Sequence, residues 1–280
     1  DEERIGLKRM ISVIFKNDQL LWVALVMLLY NVGSALLTAF GVNYMYLSFG
    51  YNGTYVTAFV AFYALASIAI NVLYPRLAAK MSRQKMSTLA MVTMTVGYVM
   101  FFVFGTMLPK LGAPEMVQLA VILLEAFIIG VGHSLIYMVI TIHLTNTIEY
   151  NEYKTGSRDE AIIFSLRPFM AKMGSALQQA IITVAYLAIG MLNITNGISE
   201  VEKKANMGDI TEVVKTAQIK EILTNAPASI SFWLRVIMVV APVVLIYICY
   251  IVMRKKVTID EEKYKNMLVE IETRKGLTEE

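Results

Sequence analysis

Two cations lie within the apolar segment of residues 161–192, and their depth suggests a chemical role. At a rise of about 1.5 Å per residue, Lys172 lies about 17 Å beyond Ala161 if the segment is a helix. That depth is close to the middle of a hydrocarbon core about 30 Å thick. A cation so deep is costly and usually contacts a substrate or an ion path. Arg167 lies about 9 Å deep and could line the same path or extend its charged head to the membrane surface.

Lys172 belongs to a polar stripe with helical spacing, whose other members are Ser165, Pro168, Ser175 and Gln179. These positions fall on one face of a helix, and such a face is not expected against lipid. A seam between two helices would also explain the serine and glutamine residues, but it explains a lysine in mid-membrane poorly. Pro168 removes a backbone donor and predicts a kink, which either serves packing or helps to build a transport site.

The apolar segment before this one, residues 117–145, contains further polar candidates. Glu125 is predicted at nearly the same depth as Lys172, so the two charges could pair within the membrane. His133 lies about 40° round the helix from Tyr137, so both could line one cavity; ordinary packing is the alternative for the tyrosine. His133 could carry protons, although a lone histidine is more often structural.

The composition predicts an all-α membrane protein. Hydrophobic residues make up 57% of the chain and charged residues 17%, with a mean hydropathy of +0.58, which is too apolar for an ordinary soluble domain. The alternating hydrophobic pattern of a membrane β-barrel is absent. Cys249 is the single cysteine, so the chain has no disulfide framework. The net charge of +3 gives no reason to expect a nucleic-acid partner. Six segments are long enough to span a bilayer as helices: residues 20–49, 55–74, 88–108, 117–145, 161–192 and 230–253.

The loop charges predict which helix ends face the cytosol. Cations are frequent before the first span and after the second, fourth and sixth, whereas the intervening short turns contain almost none. The positive-inside rule then places both termini in the cytosol. The predicted organisation is a basic amphipathic segment at 1–18, a six-helix bundle at 19–253 with an outer loop at 193–227, and a cytosolic tail at 254–280. Within the outer loop, residues 210–223 are expected to form a short amphipathic helix.

Several motifs together resemble one family. The first span begins with Phe15-Lys16-Asn17-Asp18-Gln19-Leu20. After the fourth span come Thr147-Ile148-Glu149-Tyr150-Asn151-Glu152-Tyr153-Lys154-Thr155-Gly156 and then Arg158. The fifth span contains Lys172-Met173-Gly174-Ser175-Ala176. Over nearly the whole chain these motifs resemble the C-terminal six helices of the glycoside–pentoside–hexuronide (GPH) cation symporters, a melibiose permease-like branch of the major facilitator superfamily. Departures at Asn146, Asn151 and Arg167-Pro168 concern the substrate rather than the family. The start at Asp1, in an amphipathic segment, is also what the interior of a longer protein built from two halves would give.

The resemblance implies one half of a secondary active transporter that moves a sugar or glycoside with Na⁺ or H⁺ by alternating access. It places Lys172 in the sugar-binding and cation-coupling region, with acidic partners mainly in the other half. It places Tyr137 at an aromatic position that contacts sugar, and aromatic faces suit the apolar edges of sugar rings. It further implies that Glu149, Glu152 and Arg158 form salt bridges that hold the cytosolic side closed.

The partners expected from the resemblance are the sugar, the lipid bilayer, and the missing N-terminal half or a second copy of the chain. No enzymatic activity, cofactor or bound metal is expected. The coupling cation, Na⁺ or H⁺, is expected to bind in the other half. The expected location is the plasma membrane, in a bacterium the inner membrane.

Two alternatives of different class remain open at this point. A lipid or lysolipid carrier on a related fold would have a cavity that opens sideways to lipid. An intramembrane metalloenzyme could use Glu125, His133 and His143, although no His-Glu-x-x-His motif is present. In the first span Asn31, Ser34 and Thr38 share one face, which would either hold helices together or contact sugar hydroxyls.

Overall fold

The computed structural model describes residues 7–278, and every element in that range is a helix. Asp1 to Gly6, which belong to the predicted amphipathic segment, lie outside the described residues. The ten helices of the described part are α1 Leu7–Lys16, α2 Asp18–Phe49, α3 Gly53–Ala78, α4 Arg83–Lys110, α5 Glu115–Thr155, α6 Glu160–Ile189, α7 Met191–Asn206, α8 Glu212–Thr224, α9 Ala228–Lys256 and α10 Glu261–Thr278.

Five of these helices, namely α2, α3, α4, α5 and α9, are long and apolar enough to cross a membrane. The sixth span qualifies only when α6 and α7 are taken together, and these two helices meet at an angle of 107°. The break lies at Gly190, whose φ of 79° is a conformation that glycine adopts without strain. The predicted span of residues 161–192 therefore ends at Ile189. The all-α membrane fold with six candidate spans agrees with the sequence prediction.

Polar side chains cap the N-termini of α2, α3 and α4. The amide oxygen of Asn17 accepts a hydrogen bond from the Leu20 backbone at 2.9 Å and so starts α2. The Asn17 amide nitrogen also donates to the Thr147 carbonyl at 3.0 Å, which ties the beginning of α2 to the end of α5. Asn52 and Ser82 cap α3 and α4 in the same way. One local signal, a polar residue before an apolar run, thus fixes three helix starts.

α5 is the central helix of the bundle and packs against α3 and α4, while α2 packs against α9 and α6. Glycines permit the closest approach. A Cβ added at Gly132 of α5 would lie 2.7 Å from the Ala90 carbonyl of α4, and one added at Gly97 of α4 would lie 2.7 Å from the Ile129 side chain. Small residues allow membrane helices to gain van der Waals contact where no hydrophobic effect drives them together.

The bundle has two distinct ends. At one, here named the terminal end, α1 adjoins the start of α2 and α10 packs on the end of α5. At the other, named the loop end, lie α7 and α8, which occupy most of the loop predicted at 193–227. The predicted helix at 210–223 corresponds to α8. The tail predicted at 254–280 contains the helix α10, which the composition did not reveal.

Candidate functional site

Lys172 lies on an exposed polar face of α6. Pro168, Lys172, Ser175 and Gln179 are all exposed, whereas Ser165 is half-buried. Within the described part of the chain, the Lys172 ammonium forms neither a hydrogen bond nor an ion pair. This polar face of α6, defined by these five residues, therefore points away from the bundle with an uncompensated charge near its middle.

The opposite face of α6 packs on α2. A Cβ added at Gly174 would lie 2.9 Å from Cβ of Asn31, so the two helices touch at this level. One turn further, the Gln178 amide donates to the Ala35 carbonyl at 3.4 Å. Asn31 is half-buried and stands at this seam. Its position fits the interpretation that the polar residues of the first span hold helices together.

Arg167 and Tyr137 are brought together from α6 and α5. The guanidinium lies over the Tyr137 ring, 5.5 Å from the ring centroid, and also donates a hydrogen bond to the Tyr137 hydroxyl. On its other side the Tyr137 ring stacks on Tyr30 of α2, with ring centroids 5.5 Å apart and an angle of 27° between the planes. Arg167 is exposed, but its guanidinium is held on an aromatic partner rather than extended alone toward the membrane surface. Tyr30 had not been singled out from the sequence.

His133 lies behind these aromatic residues, in a cage of three tyrosines. Its Nδ1 is 2.8 Å from the Tyr63 hydroxyl and its Nε2 is 3.4 Å from the Tyr98 hydroxyl. The Tyr30 hydroxyl donates to the His133 carbonyl at 3.0 Å. The histidine is only 1% exposed, so it does not line an open surface together with Tyr137. Both ring nitrogens have partners, and this is the environment of a structural histidine.

Glu125 does not pair with Lys172. It is buried among α2, α4, α5 and α9 toward the loop end, in a cleft that also contains Arg235 of α9. Arg235 was missed in the sequence because the sixth apolar segment was treated as uniform, although an arginine near the start of a span is a visible signal. Its Nε donates to the Tyr44 hydroxyl at 3.1 Å, and a second nitrogen donates to Thr106 Oγ1 at 2.9 Å.

The predicted salt-bridge cluster forms at the terminal end. The two terminal nitrogens of Arg158 lie 3.2 Å from Glu149 and 3.1 Å from Glu152, and its Nε lies 3.4 Å from Glu160. The Glu149 and Glu152 side chains are only 9% exposed, whereas Arg158 is 47% exposed. The hydrogen bond with Glu152 raises the pKa of the Arg158 guanidinium above its ordinary value. We call Glu149, Glu152 and Arg158 the gate cluster.

α10 adds further contacts to the gate cluster. Lys275 lies 2.6 Å from the second carboxylate oxygen of Glu152. At its other end α10 contacts α4, where Glu261 accepts from the Arg83 backbone at 2.8 Å and pairs with its side chain at 3.2 Å. Partial burial alone would raise the pKa of Glu261, but the hydrogen bonds from Arg83 outweigh it and hold the pKa below its ordinary value. α10 thus connects the ends of α4 and α5.

Comparisons with known proteins decide the family. A family model described as "MFS/sugar transport protein" matches residues 1–261. The chain belongs to this family. It is 26% identical over 271 residues to the raffinose carrier protein of Pediococcus pentosaceus, covering 97% of this chain and 36% of that protein. It is 27% identical over 276 residues to the lactose permease of Lactobacillus delbrueckii subsp. bulgaricus, covering 98% and 38%.

The chain thus spans well under half the length of the relatives that it matches. A lactose permease of Leuconostoc lactis gives the same proportions, with 24% identity over 96% of this chain and 36% of that protein. The predicted GPH-type membership of the major facilitator superfamily is confirmed, and the chain is a multi-pass membrane protein. Because the family and these relatives are transporters, the chain is not an enzyme, which excludes the metalloenzyme alternative.

Proposed function

We propose that the chain is the C-terminal half of a secondary active symporter that moves a sugar or glycoside with Na⁺ or H⁺ by alternating access. Raffinose and lactose, after which these relatives are named, are the first compounds to consider. Transporters of this kind have two bundles that rock about a site at the midplane. The partner bundle is then an N-terminal half of the same protein. A second copy of this chain is the alternative partner.

The observation that carries this proposal is the exposed ammonium of Lys172 on the polar face of α6. Lipid cannot solvate a cation near the midplane, and the described residues of this half provide no carboxylate for it. A second bundle facing α6 would supply both water and acidic partners. The polar face of α6 is accordingly assigned to the central cavity between two halves.

The aromatic pair beside this face supports a sugar as the solute. Tyr137 is half-buried and offers a ring and a hydroxyl, while Arg167 offers several donors. A ring that packs on the apolar edge of a sugar, next to donors for its hydroxyls, is a common arrangement in carbohydrate sites. A carrier for lipid would require a cavity lined by apolar groups instead.

The gate cluster is assigned to the cytosolic side, because the terminal end carries the cation-rich loops. Both termini then face the cytosol of a bacterial plasma membrane. The salt bridges of Arg158 hold α5 and α6 together in the conformation seen here. Pairs that remain partly in contact with water contribute about 0–1 kcal/mol each, so the cluster can open and close during a transport cycle.

The test is uptake of radiolabelled lactose and raffinose by the full-length protein, with both halves present, in membrane vesicles under an imposed Na⁺ or H⁺ gradient. Lys172→Ala should abolish gradient-driven uptake while leaving expression and thermal stability unchanged. Lys172→Arg should restore it only partly, because a planar guanidinium does not replace a compact ammonium. Lys110→Ala, an exposed lysine at the loop end, is the matched control and should behave as the unaltered protein. Uptake near the normal rate in Lys172→Ala, or transport of lysolipid in place of sugar, would refute the assignment.

A further inference from the structure

A second polar cleft lies away from the polar face of α6. It opens at the loop end between α2, α4, α5 and α9 and has a volume of about 370 Å³. Its polar wall is formed by Tyr44, Ser48, Gln118, Glu125, Ser231 and Arg235, and the remaining wall is apolar. None of these residues belongs to the helix that carries Lys172. A carboxylate and a guanidinium thus share one cleft that the proposed transport site does not use.

The guanidinium in this cleft is well supported. Arg235 is 8% exposed, donates to the hydroxyls of Tyr44 and Thr106, and lies 5.3 Å from the centroid of the Tyr44 ring. Gly105 of α4 leaves room for it, because a Cβ there would lie 3.0 Å from the Arg235 Nε. Arginine keeps its proton in proteins. A fixed positive charge is therefore held in place by groups other than Glu125.

The Glu125 carboxylate, by contrast, lacks hydrogen-bond donors on one of its oxygens. Glu125 is 1% exposed, and its Oε1 is buried with no hydrogen-bond partner. The cleft places Arg235 from α9 and Tyr44 from α2 together with Glu125. Thr106 of α4 accepts a hydrogen bond from Arg235 but does not line the cleft, and α3 contributes no residue to it. Arg235 acts on Glu125 across the cleft without a direct ion pair. A charged carboxylate buried without donors is costly, and a bound proton removes that cost.

We propose that Glu125 is a proton-binding site that exchanges with the aqueous phase at the loop end. In the occupied state the proton is bonded to the carboxylate, the group is neutral, and Arg235 is satisfied by Tyr44 and Thr106. When the proton leaves to water, the carboxylate regains its negative charge, which Arg235 stabilises across the cleft. The existence of this site does not depend on the proposed function, but its use in coupling does.

A proton fits this cleft better than a metal cation. A proton requires a single oxygen, whereas a hard cation requires several oxygen ligands. Glu125 is the only carboxylate among the residues that line the cleft. Arg235 would in addition repel a metal cation at this position. We therefore expect H⁺, rather than Na⁺, to be the ion that binds in this cleft.

Infrared difference spectroscopy of the purified protein in nanodiscs, between alkaline and acidic pH, tests the proposal directly. The carbonyl stretch of a protonated buried carboxyl should appear as the pH falls. It should be lost in Glu125→Gln and retained in Glu115→Gln, an exposed residue at the start of the same helix. Arg235→Gln keeps the carboxyl and removes its counter-charge, so the same band should titrate at more alkaline pH. A spectrum unchanged in both Glu125→Gln and Arg235→Gln would overturn the proposal.

A transport experiment separates this proposal from the proposed function. Exchange of labelled for unlabelled lactose requires no net movement of protons, so Glu125→Gln in the full-length protein should retain exchange and lose accumulation driven by a proton gradient. Accumulation unchanged in this variant would exclude a role of Glu125 in coupling. If the unaltered protein exchanges no sugar while the infrared band still depends on Glu125, the proton site stands and the sugar assignment fails.

Discussion

The guanidinium of Arg167 lies over the ring of Tyr137 and donates to the hydroxyl of that same ring. One side chain of α6 is thereby fixed to one of α5 at the edge of the polar face of α6. A cation held on an aromatic face contributes about 0.5–2 kcal/mol, more where water is excluded. The pair therefore presents donors in a fixed direction beside the proposed sugar cavity.

Replacing the Tyr137 hydroxyl and the Tyr137 ring should have separable effects on sugar binding. Tyr137→Phe removes the acceptor for Arg167 but keeps the ring, and we expect the Kd for sugar to rise about tenfold, as for the loss of one hydrogen bond to a charged group. Tyr137→Ala also removes the stacking surface and should weaken binding further. Equilibrium binding of labelled lactose to purified protein measures both. Equal affinities in the two variants would show that the ring does not contact the sugar.

Substitution of His133 should reduce stability rather than transport. His133→Leu leaves the hydroxyls of Tyr63 and Tyr98 without their partner, and a buried polar group that loses its hydrogen bond costs about 1–3 kcal/mol. The thermal midpoint in detergent should fall, while the folded fraction keeps its pH profile of uptake. If the midpoint is unchanged and the pH profile shifts, His133 carries protons after all.

Removing Arg158 should open the terminal end. Arg158→Ala leaves Glu149, whose side chain is 9% exposed, without its pair with Arg158, and leaves Glu152 with Lys275 but without Arg158, so the two carboxylates repel each other more strongly. A cysteine placed at Ser165 should react several times faster with a membrane-impermeant thiol reagent added from the cytosolic side. Lys154→Ala is the control, because its pair with Asp18 is about half exposed and contributes little. Equal labelling in both variants would contradict a gating role.

Enlarging Gly174 should separate α2 from α6. Gly174→Val would press its side chain against Asn31, where even a Cβ would lie at 2.9 Å, and overpacking typically costs about 1–3 kcal/mol. We expect a lower thermal midpoint and reduced uptake. Ser175→Val, next along the chain but exposed, should leave the midpoint nearly unchanged. A loss of stability confined to the serine variant would place the helix seam on the wrong face.

Features that depend on the depth of a residue along a helix, or on a local sequence pattern, could be predicted from the sequence. The apolar runs predicted the spans, the stripe through Lys172 predicted the exposed face of α6, and the charged motif after the fourth span predicted the salt bridges of Arg158. The pairing of Glu125 with Lys172 failed for a geometric reason. Depth along the membrane normal can be counted from the sequence, but the direction in which a helix face points depends on how neighbouring helices pack.

The tyrosine cage and the partners of Arg235 could not be predicted for the same reason. Tyr30, Tyr63 and Tyr98 come from three helices, and nothing in the local pattern indicates that all three converge on His133. Arg235 is tolerated in an apolar span because Tyr44 and Thr106, more than 100 positions away along the chain, supply its acceptors. Such contacts arise from tertiary packing, and a single sequence contains no periodicity that reveals them.

Because α5 is long, a small tilt of this helix produces a large displacement at its end. With 41 residues it measures about 60 Å, twice the thickness of the hydrocarbon core, so one continuous helix carries Tyr137 within the predicted span of residues 117–145 and Glu152 beyond the end of that span. These two residues are about 22 Å apart along the helix, and a tilt of about 10° pivoting at Tyr137 would displace Glu152 by about 4 Å. That displacement exceeds the length of the salt bridge between Glu152 and Arg158, so a small rotation caused by sugar at the centre would be enough to break it at the end.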